Sequence, residues 1–357
     1  MQTVNFPVFK TKIAGVVKKF DLAGPAGRRE YFEAKAGKEI AALKDYLRRN
    51  TFVGYLLGKK NSGKGTYSKL FMEAVGEEHV GHVAIGDIVR DVHAGLSDPV
   101  KKKELIGFFE KNYRGFHTLE EVVQVIEGRD TMSLIPAELV LTMIKYEIGR
   151  RPKKAIFVDG FPRALDQIAY SLFLKELIGY RDDPDFLVFI DVPEAVIDER
   201  IKYRVVCPKC KTPRNLRLLA TQEVGYDAEK KEFFLICDNP TCDRQRMVAK
   251  EGDQLGIEPI RKRLEVDDQI FQQLLGLHGV AKVLLRNSVP VESAAESVDD
   301  YEITPAYDYE FDPSTKKVRV LERPWVINDD NGVPSYSLLP PAVVVSFLKQ
   351  VAKVLEL

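Results

Sequence analysis

The chain has 357 residues, 45% of them apolar and 30% charged, an ordinary globular composition and long enough for a core with insertions or extensions. Lys plus Arg and Asp plus Glu both number 53, so the formal charge is zero, which excludes a surface built mainly to coat nucleic acid or an anionic membrane. Lys10, Lys12, Lys18 and Lys19 break any apolar leader, and no run approaches the ~18 apolar residues of a membrane span, so a cytoplasmic protein with reduced or metal-bound cysteines is expected.

Residues 1–50 form an N-terminal extension whose GRREYFEAKAGKEIAALKDYLRRN stretch reads as a helix. Tyr31, Phe32, Ile40, Leu43 and Leu47 lie on one face of it. From residue 52 the rhythm becomes strand, loop, helix. FVGYLL (52–57), AIFVD (155–159) and FLVFIDV (186–192) are short apolar runs, each followed by helical sequence, which predicts an α/β fold with a parallel sheet covered on both faces. SLIPAELVLTMIKYEIG (133–149) reads as a helix with Pro136 near its first turn. Residues 194–204 and 258–277 read as two more, the second with Ile260, Leu264, Ile270 and Leu274 as its core stripe. ESAAESVDDYEITP reads as an acidic loop. YDYEFDPSTKKVRVLERPWVI reads as a hairpin around Asp312-Pro313, and PAVVVSFLKQVAKVLEL as a closing apolar helix. The core is expected over 51–290. A C-terminal extension ending in a final core helix is expected over 291–357.

Between the first strand and its helix stands GKKNSGKGT. Gly58-x4-Gly63-Lys64 is phosphate-loop spacing: glycines let the backbone approach phosphate oxygens, successive N–H groups and the helix N-terminus face the anion, and Lys64 adds a point charge. The hydroxyl comes from Thr66, one residue later than in the generic pattern. All four cysteines fall in one later segment. Cys207-Pro-Lys-Cys210 is followed, after 26 intervening residues, by Cys237-Asp-Asn-Pro-Thr-Cys242. Two short-spaced thiol pairs can meet around one tetrahedral Zn2+, which four protein ligands would close to catalysis. A redox disulfide or four unrelated thiols is the alternative reading of the same spacing.

The order GKKNSGKGT, IGDIVRD (85–91), VDGFPRALDQ (158–167), DVPEAVIDERIKYR (191–204), the cysteine segment and IRKRLE (260–265) resembles the adenylate kinase family of nucleoside monophosphate kinases over about residues 52–277. That resemblance implies a P-loop NTPase-type core, an acceptor-binding flap at about 86–134 and a zinc-bearing lid at about 205–250. The implied ATP-binding residues are Gly58, Asn61, Ser62, Gly63, Lys64, Gly65, Thr66 and Arg200. The implied AMP-binding residues are Ile85, Gly86, Arg90, Gly160, Arg163 and Gln167, with Gln167 reading the base and Asp87 beside Arg90. Catalysis would rest on Lys64, Arg90, Arg163, Arg204, Arg263 and Asp159, the last holding waters around Mg2+, with Lys250 standing near the place of a further lid arginine. Structural Zn2+ would sit on Cys207, Cys210, Cys237 and Cys242. So many arginines suit phosphoryl transfer, which asks for positioning and positive charge around two mutually repelling polyanions.

Three departures stand out. Asn61 and Ile85 replace a family glycine and threonine, and the segment from Arg90 to Ser133 is longer than the family's, with Lys101, Lys102 and Lys103 in it; a thicker helical flap is the expected reason. The expected activity is ATP:AMP phosphotransfer by a monomer, with ATP and AMP as partners and neither nucleic acid nor membrane. UMP or CMP as acceptor is the rival within the fold. A nucleotide-responsive RNA- or protein-binding module without turnover is the rival of another class.

Overall fold

The protein is described by a computed structural model covering residues 6–13, 15, 18–128 and 135–357. Helix α1 (Pro25–Tyr46) leads into β1 (Val53–Leu57), the phosphate loop and α2 (Lys64–Val75), then β2 (Val80–Ala84) and α3 (Ile85–Leu96). The flap region continues as α4 (Pro99–Asn112) and α5 (Leu119–Glu127). Asp98 caps α4 by accepting from the Val100 and Lys101 N–H groups, and Thr118 and Glu121 close a reciprocal box at the start of α5. Helix α6 (Ala137–Gly149), β3 (Ala155–Asp159), α7 (Gln167–Leu172), α8 (Leu174–Leu177), β4 (Asp185–Asp191) and α9 (Glu194–Lys202) follow. The helix expected from residue 133 is thus seen from Ala137, since Ser133 and Leu134 lie outside the described residues.

The cysteine segment folds as two small antiparallel units. One joins β5 (Arg204–Val206), β6 (Pro213–Asn215) and β9 (Val248–Ala249); the other is the hairpin of β7 (Glu223–Asp227) and β8 (Glu232–Ile236). Helix α10 (Arg261–Leu275) and β10 (Ala281–Arg286) return the chain to the core. Then come β11 (Ser288–Pro290), α11 (Val291–Ser297), the hairpin β12 (Pro305–Asp312) and β13 (Lys317–Pro324), β14 (Val326–Asn328), β15 (Pro334–Ser337) and α12 (Pro340–Val354). The acidic stretch expected to be a loop is therefore helical at 291–297 and turns once more at Asp300–Glu302, where an Asp299/Glu302 box satisfies the exposed N–H groups.

The central sheet has the order β10-β4-β1-β3-β2 and every pairing in it is parallel. Side chains alternate across it. Leu56, Phe157, Phe186, Val188, Val283 and Leu285 face α1, α2 and α12, whereas Tyr55, Leu57, Val158, Leu187 and Phe189 face the layer of α3 to α6 and α10. Helix α12 buries every residue from Pro341 to Leu348 against α1, α2 and β10, so its first two turns are a core element. This is an α/β, P-loop NTPase-type architecture. Among the described residues no helix is long and apolar enough to cross a membrane.

Candidate active site

The phosphate loop leaves the C-terminal end of β1 at the middle of the sheet, where parallel α/β folds place ligands. Gly63 caps α2 at φ +97°, a left-handed conformation that a side chain rarely adopts, and Asn61 holds φ +66°, which asparagine tolerates better than most residues. The helix N-terminus and its N–H groups therefore face the loop's hollow. Lys64 lies folded across it, its Nζ donating to the carbonyls of Gly58 at 2.8 Å and Lys59 at 3.1 Å. Burial lowers its pKa; Asp159 and Asp267 oppose that shift, and Arg163 and Arg263 add to it. Ser62 Oγ is buried with no hydrogen-bond partner among the described residues. The Thr66 N–H closes the first turn on the Gly63 carbonyl at 2.9 Å.

The acceptor-side residues meet around Gly86 and Gly160. A Cβ on Gly86 would stand 3.4 Å from Arg163 Nη2 and 3.6 Å from Arg90 Nη1, so both guanidinium groups reach the start of α3. Gly160 has φ +85° and a Cβ there would come within 2.6 Å of Arg163 Nη2. Only glycine gives the backbone this turn and the arginine this path. Arg90 also pairs with Asp87. Gln167 is buried, and its Oε1 accepts from the Arg163 N–H at 2.8 Å. Because that backbone group can only donate, the amide's NH2 is the end turned elsewhere. Ile85 points into the apolar layer below, so it offers the site its backbone and not its side chain.

The remaining arginines divide. Arg263, in the first turn of α10, donates to the Arg163 carbonyl at 3.3 Å and pairs with Asp267 at 2.8 Å. Arg204 is held by Asp253 through two bonds of 2.6 and 2.7 Å. The helix expected over 194–204 ends sooner: α9 stops at Lys202, and Arg204 stands on β5. The start of the cysteine module needs extended backbone, and its pairing with β6 and β9 ends the helix two residues early. Arg200 instead reaches Asn287 Oδ1 at 3.4 Å. Asn287 in turn donates to Tyr67 Oη at 3.0 Å and to the Leu338 carbonyl at 3.0 Å.

Three contributors were absent from the sequence reading. Lys60 has its pKa lowered by burial first, then by the charges of Arg263, Lys250 and Arg204, so these cations surround the loop from three other segments. Asp267 is their counter-charge. It accepts the Lys60 N–H at 3.0 Å and pairs with Arg263, and only its i,i+4 spacing from Arg263 hints at the pair. Asp253 carries no local signal at all.

The four cysteines come together, with all Sγ atoms within 4.8 Å of one another and Cys210 and Cys237 3.7 Å apart. A tetrahedral ion with ligands at about 2.3 Å sets sulfur separations of about 3.8 Å, so the thiol set fits a metal ion closely. Cys207, Cys237 and Cys242 are buried, and with Leu235 and Met247 they make nearly all of the module's small core.

No protein-family model matches the chain. Its sequence is 27% identical over 232 residues to an adenylate kinase of Thermotoga neapolitana, covering 64% of this chain and 86% of the relative. It is 28% identical over 225 residues to an adenylate kinase of Clostridium novyi, covering 62% and 84%, and 29% identical over 212 residues to one from Hydrogenobaculum sp., covering 59% and 80%. Over that length the chain is similar in sequence to these adenylate kinases, and its core is the α/β, P-loop NTPase-type parallel sheet.

Proposed function

We propose that the chain transfers a phosphoryl group from MgATP to AMP, giving two ADP. The observation that carries this reading is the convergence of Lys64, Arg163 and Arg263 with Asp159 at the N-terminus of α2. A half-buried cluster of like charges is costly unless an anion completes it. Here Asp267 offsets part of the charge, and bound phosphates would offset the rest.

In this reading the donor's phosphates lie on the N–H groups of residues 63–65 at the N-terminus of α2, and Lys64 exchanges its two loop carbonyls for phosphate oxygens. Arg90 and Arg163 hold the acceptor phosphate from two sides. Arg204 and Arg263 supply charge as it spreads over the transferring oxygens, and Arg200 lies toward the donor base. Asp159, an oxygen ligand beside Lys64, suits Mg2+, which keeps most of its waters and, when bound with ATP, offsets charge on the phosphate oxygens. The cysteine module would be the lid, held by structural Zn2+ on Cys207, Cys210, Cys237 and Cys242, and its cover over the donor would exclude water.

Gln167 favours AMP. With Oε1 engaged by the Arg163 N–H, its NH2 suits an acceptor on the base edge, which adenine N1 and cytosine N3 offer and uracil N3–H does not. Purified protein with MgATP should therefore form ADP with AMP far faster than with UMP or GMP, with CMP as the comparison that separates the two bases offering an acceptor. Preference for a pyrimidine would keep the chemistry and overturn the acceptor. Nucleotide binding without turnover on any acceptor would overturn the enzyme and favour a nucleotide-responsive binding module.

A further inference from the structure

The C-terminal segment 298–338 makes contacts at two places on the donor side. Its hairpin pairs without interruption from Pro305↔Pro324 to Asp312↔Lys317. The root is fixed in the core by buried Ala306. The first strand then runs along the cysteine module. The Tyr307 N–H donates to the Arg217 carbonyl at 2.7 Å, and the Tyr309 hydroxyl donates to the Leu216 carbonyl. Phe311 stacks on Tyr226 with ring centroids 4.4 Å apart, and Tyr309 meets Phe233 at 5.5 Å. A seam of aromatic pairs and a backbone bond resists sliding, because moving it exposes ring faces and strands polar groups.

The second contact is with the phosphate loop. Strand β13 ends at Pro324, Trp325 is buried, and β14 leads directly into the turn at Asp329. Asp329 is fixed by its 2.9 Å pair with Arg286 at the end of β10, and its Oδ1 accepts from the Asn331 and Val333 N–H groups. The next residue, Asp330, presents both oxygens to the donor side. Oδ2 pairs with Lys59 Nζ at 2.8 Å, and Oδ1 accepts from the Glu194 N–H, which opens α9, at 2.8 Å. Burial alone would lower the Lys59 pKa, but Asp330 and Glu194 hold it above its ordinary value.

We propose that segment 298–338 is a brace, with Asp330 as a positioning residue that clamps the phosphate loop to α9 and the β12–β13 hairpin fixing the cysteine module relative to that loop. This rests on reading the loop as the donor site and the module as its lid. Asp330→Asn, which keeps the side chain's size, should raise the KM for MgATP roughly threefold to tenfold while leaving kcat and the acceptor KM near wild type. A fall in kcat with an unchanged donor KM would overturn the positioning role.

Hydrogen exchange on the nucleotide-free full chain tests the brace without any turnover. Asp330→Asn should raise exchange in residues 58–63, and Tyr309→Ala/Phe311→Ala should raise it in 223–236. Tyr309→Phe, which removes only the hydroxyl bond, keeps the test open if the double variant fails to fold. Unchanged exchange in these segments would overturn the brace even in an active enzyme. Changed exchange in a chain with no phosphoryl transfer would leave the brace standing and remove only the proposed activity.

Discussion

Lys64 sits under two carbonyls of its own loop, so removing its side chain leaves two acceptors to water and takes the cation from the hollow. Lys64→Ala should lower turnover about a hundredfold or more while the thermal transition stays near wild type, and wild-type activity would remove the loop from the mechanism. His82 on β2 is paired at 2.9 Å with Ser68 of α2. Burial holds its pKa below the ordinary 6.5, with Asp159 opposing and Lys69 adding to the shift. The unfolded chain therefore takes up a proton first as pH falls. The His82 contribution to stability is complete above pH 6.5 and declines from there toward the lowered folded value, by at most about 1.4 kcal/mol per pH unit. Denaturant titrations across that window should show the decline, and His82→Asn should flatten it. Residues inside a contiguous motif, such as Lys64 or Arg163, were legible in the sequence because their spacing is local. Asp253 meets Arg204 across 49 positions, and no local pattern announces a pair that only the folded module creates.

At the scale of elements, the three inner strands could be read as apolar runs because neighbours cover both their faces and edges. The two missed strands are the sheet's edges. In β2, Gly81 and His82 break the run, and in β10, Lys282 and Arg286 do, since an edge strand is only partly covered and tolerates polar residues. The acidic 291–302 stretch misled for a different reason: composition reports charge, whereas the Asp299/Glu302 box spends that charge on capping. The cysteine module has little apolar core of its own, so the proposed zinc would supply much of its fold. Metal analysis should find one zinc per chain. A strong chelator should bring the amides of residues 204–249 toward unfolded exchange rates while the central sheet stays protected, and equal protection with and without chelator would show that the thiols hold no structural ion.

Across the whole molecule, the two extensions fasten to each other. Glu302 is fully buried and accepts from Thr11 Oγ1 at 2.5 Å, Tyr31 Oη at 2.5 Å and the Asp299 N–H at 2.7 Å. Buried Lys35 lies 3.7 Å from Glu302 and pairs with Asp299 at 2.7 Å. Glu302→Ala would leave two hydroxyls unmatched and Lys35 with one carboxylate fewer, so equilibrium unfolding should show a loss of about 3–5 kcal/mol. A loss under about 1 kcal/mol would mean that water replaces the carboxylate at little cost.

Helix α12 also bears on how the chain is made. It fills the space between α1, α2 and the sheet, so the face behind the phosphate loop stays open until residues 340–354 have been synthesised. A ribosome-bound intermediate carrying the complete nucleotide loop would still expose Phe71, Phe157 and Leu285 to solvent. Such a chain completes its core only once residues 340–354 have emerged, and its dependence on chaperones should concentrate in the interval before that.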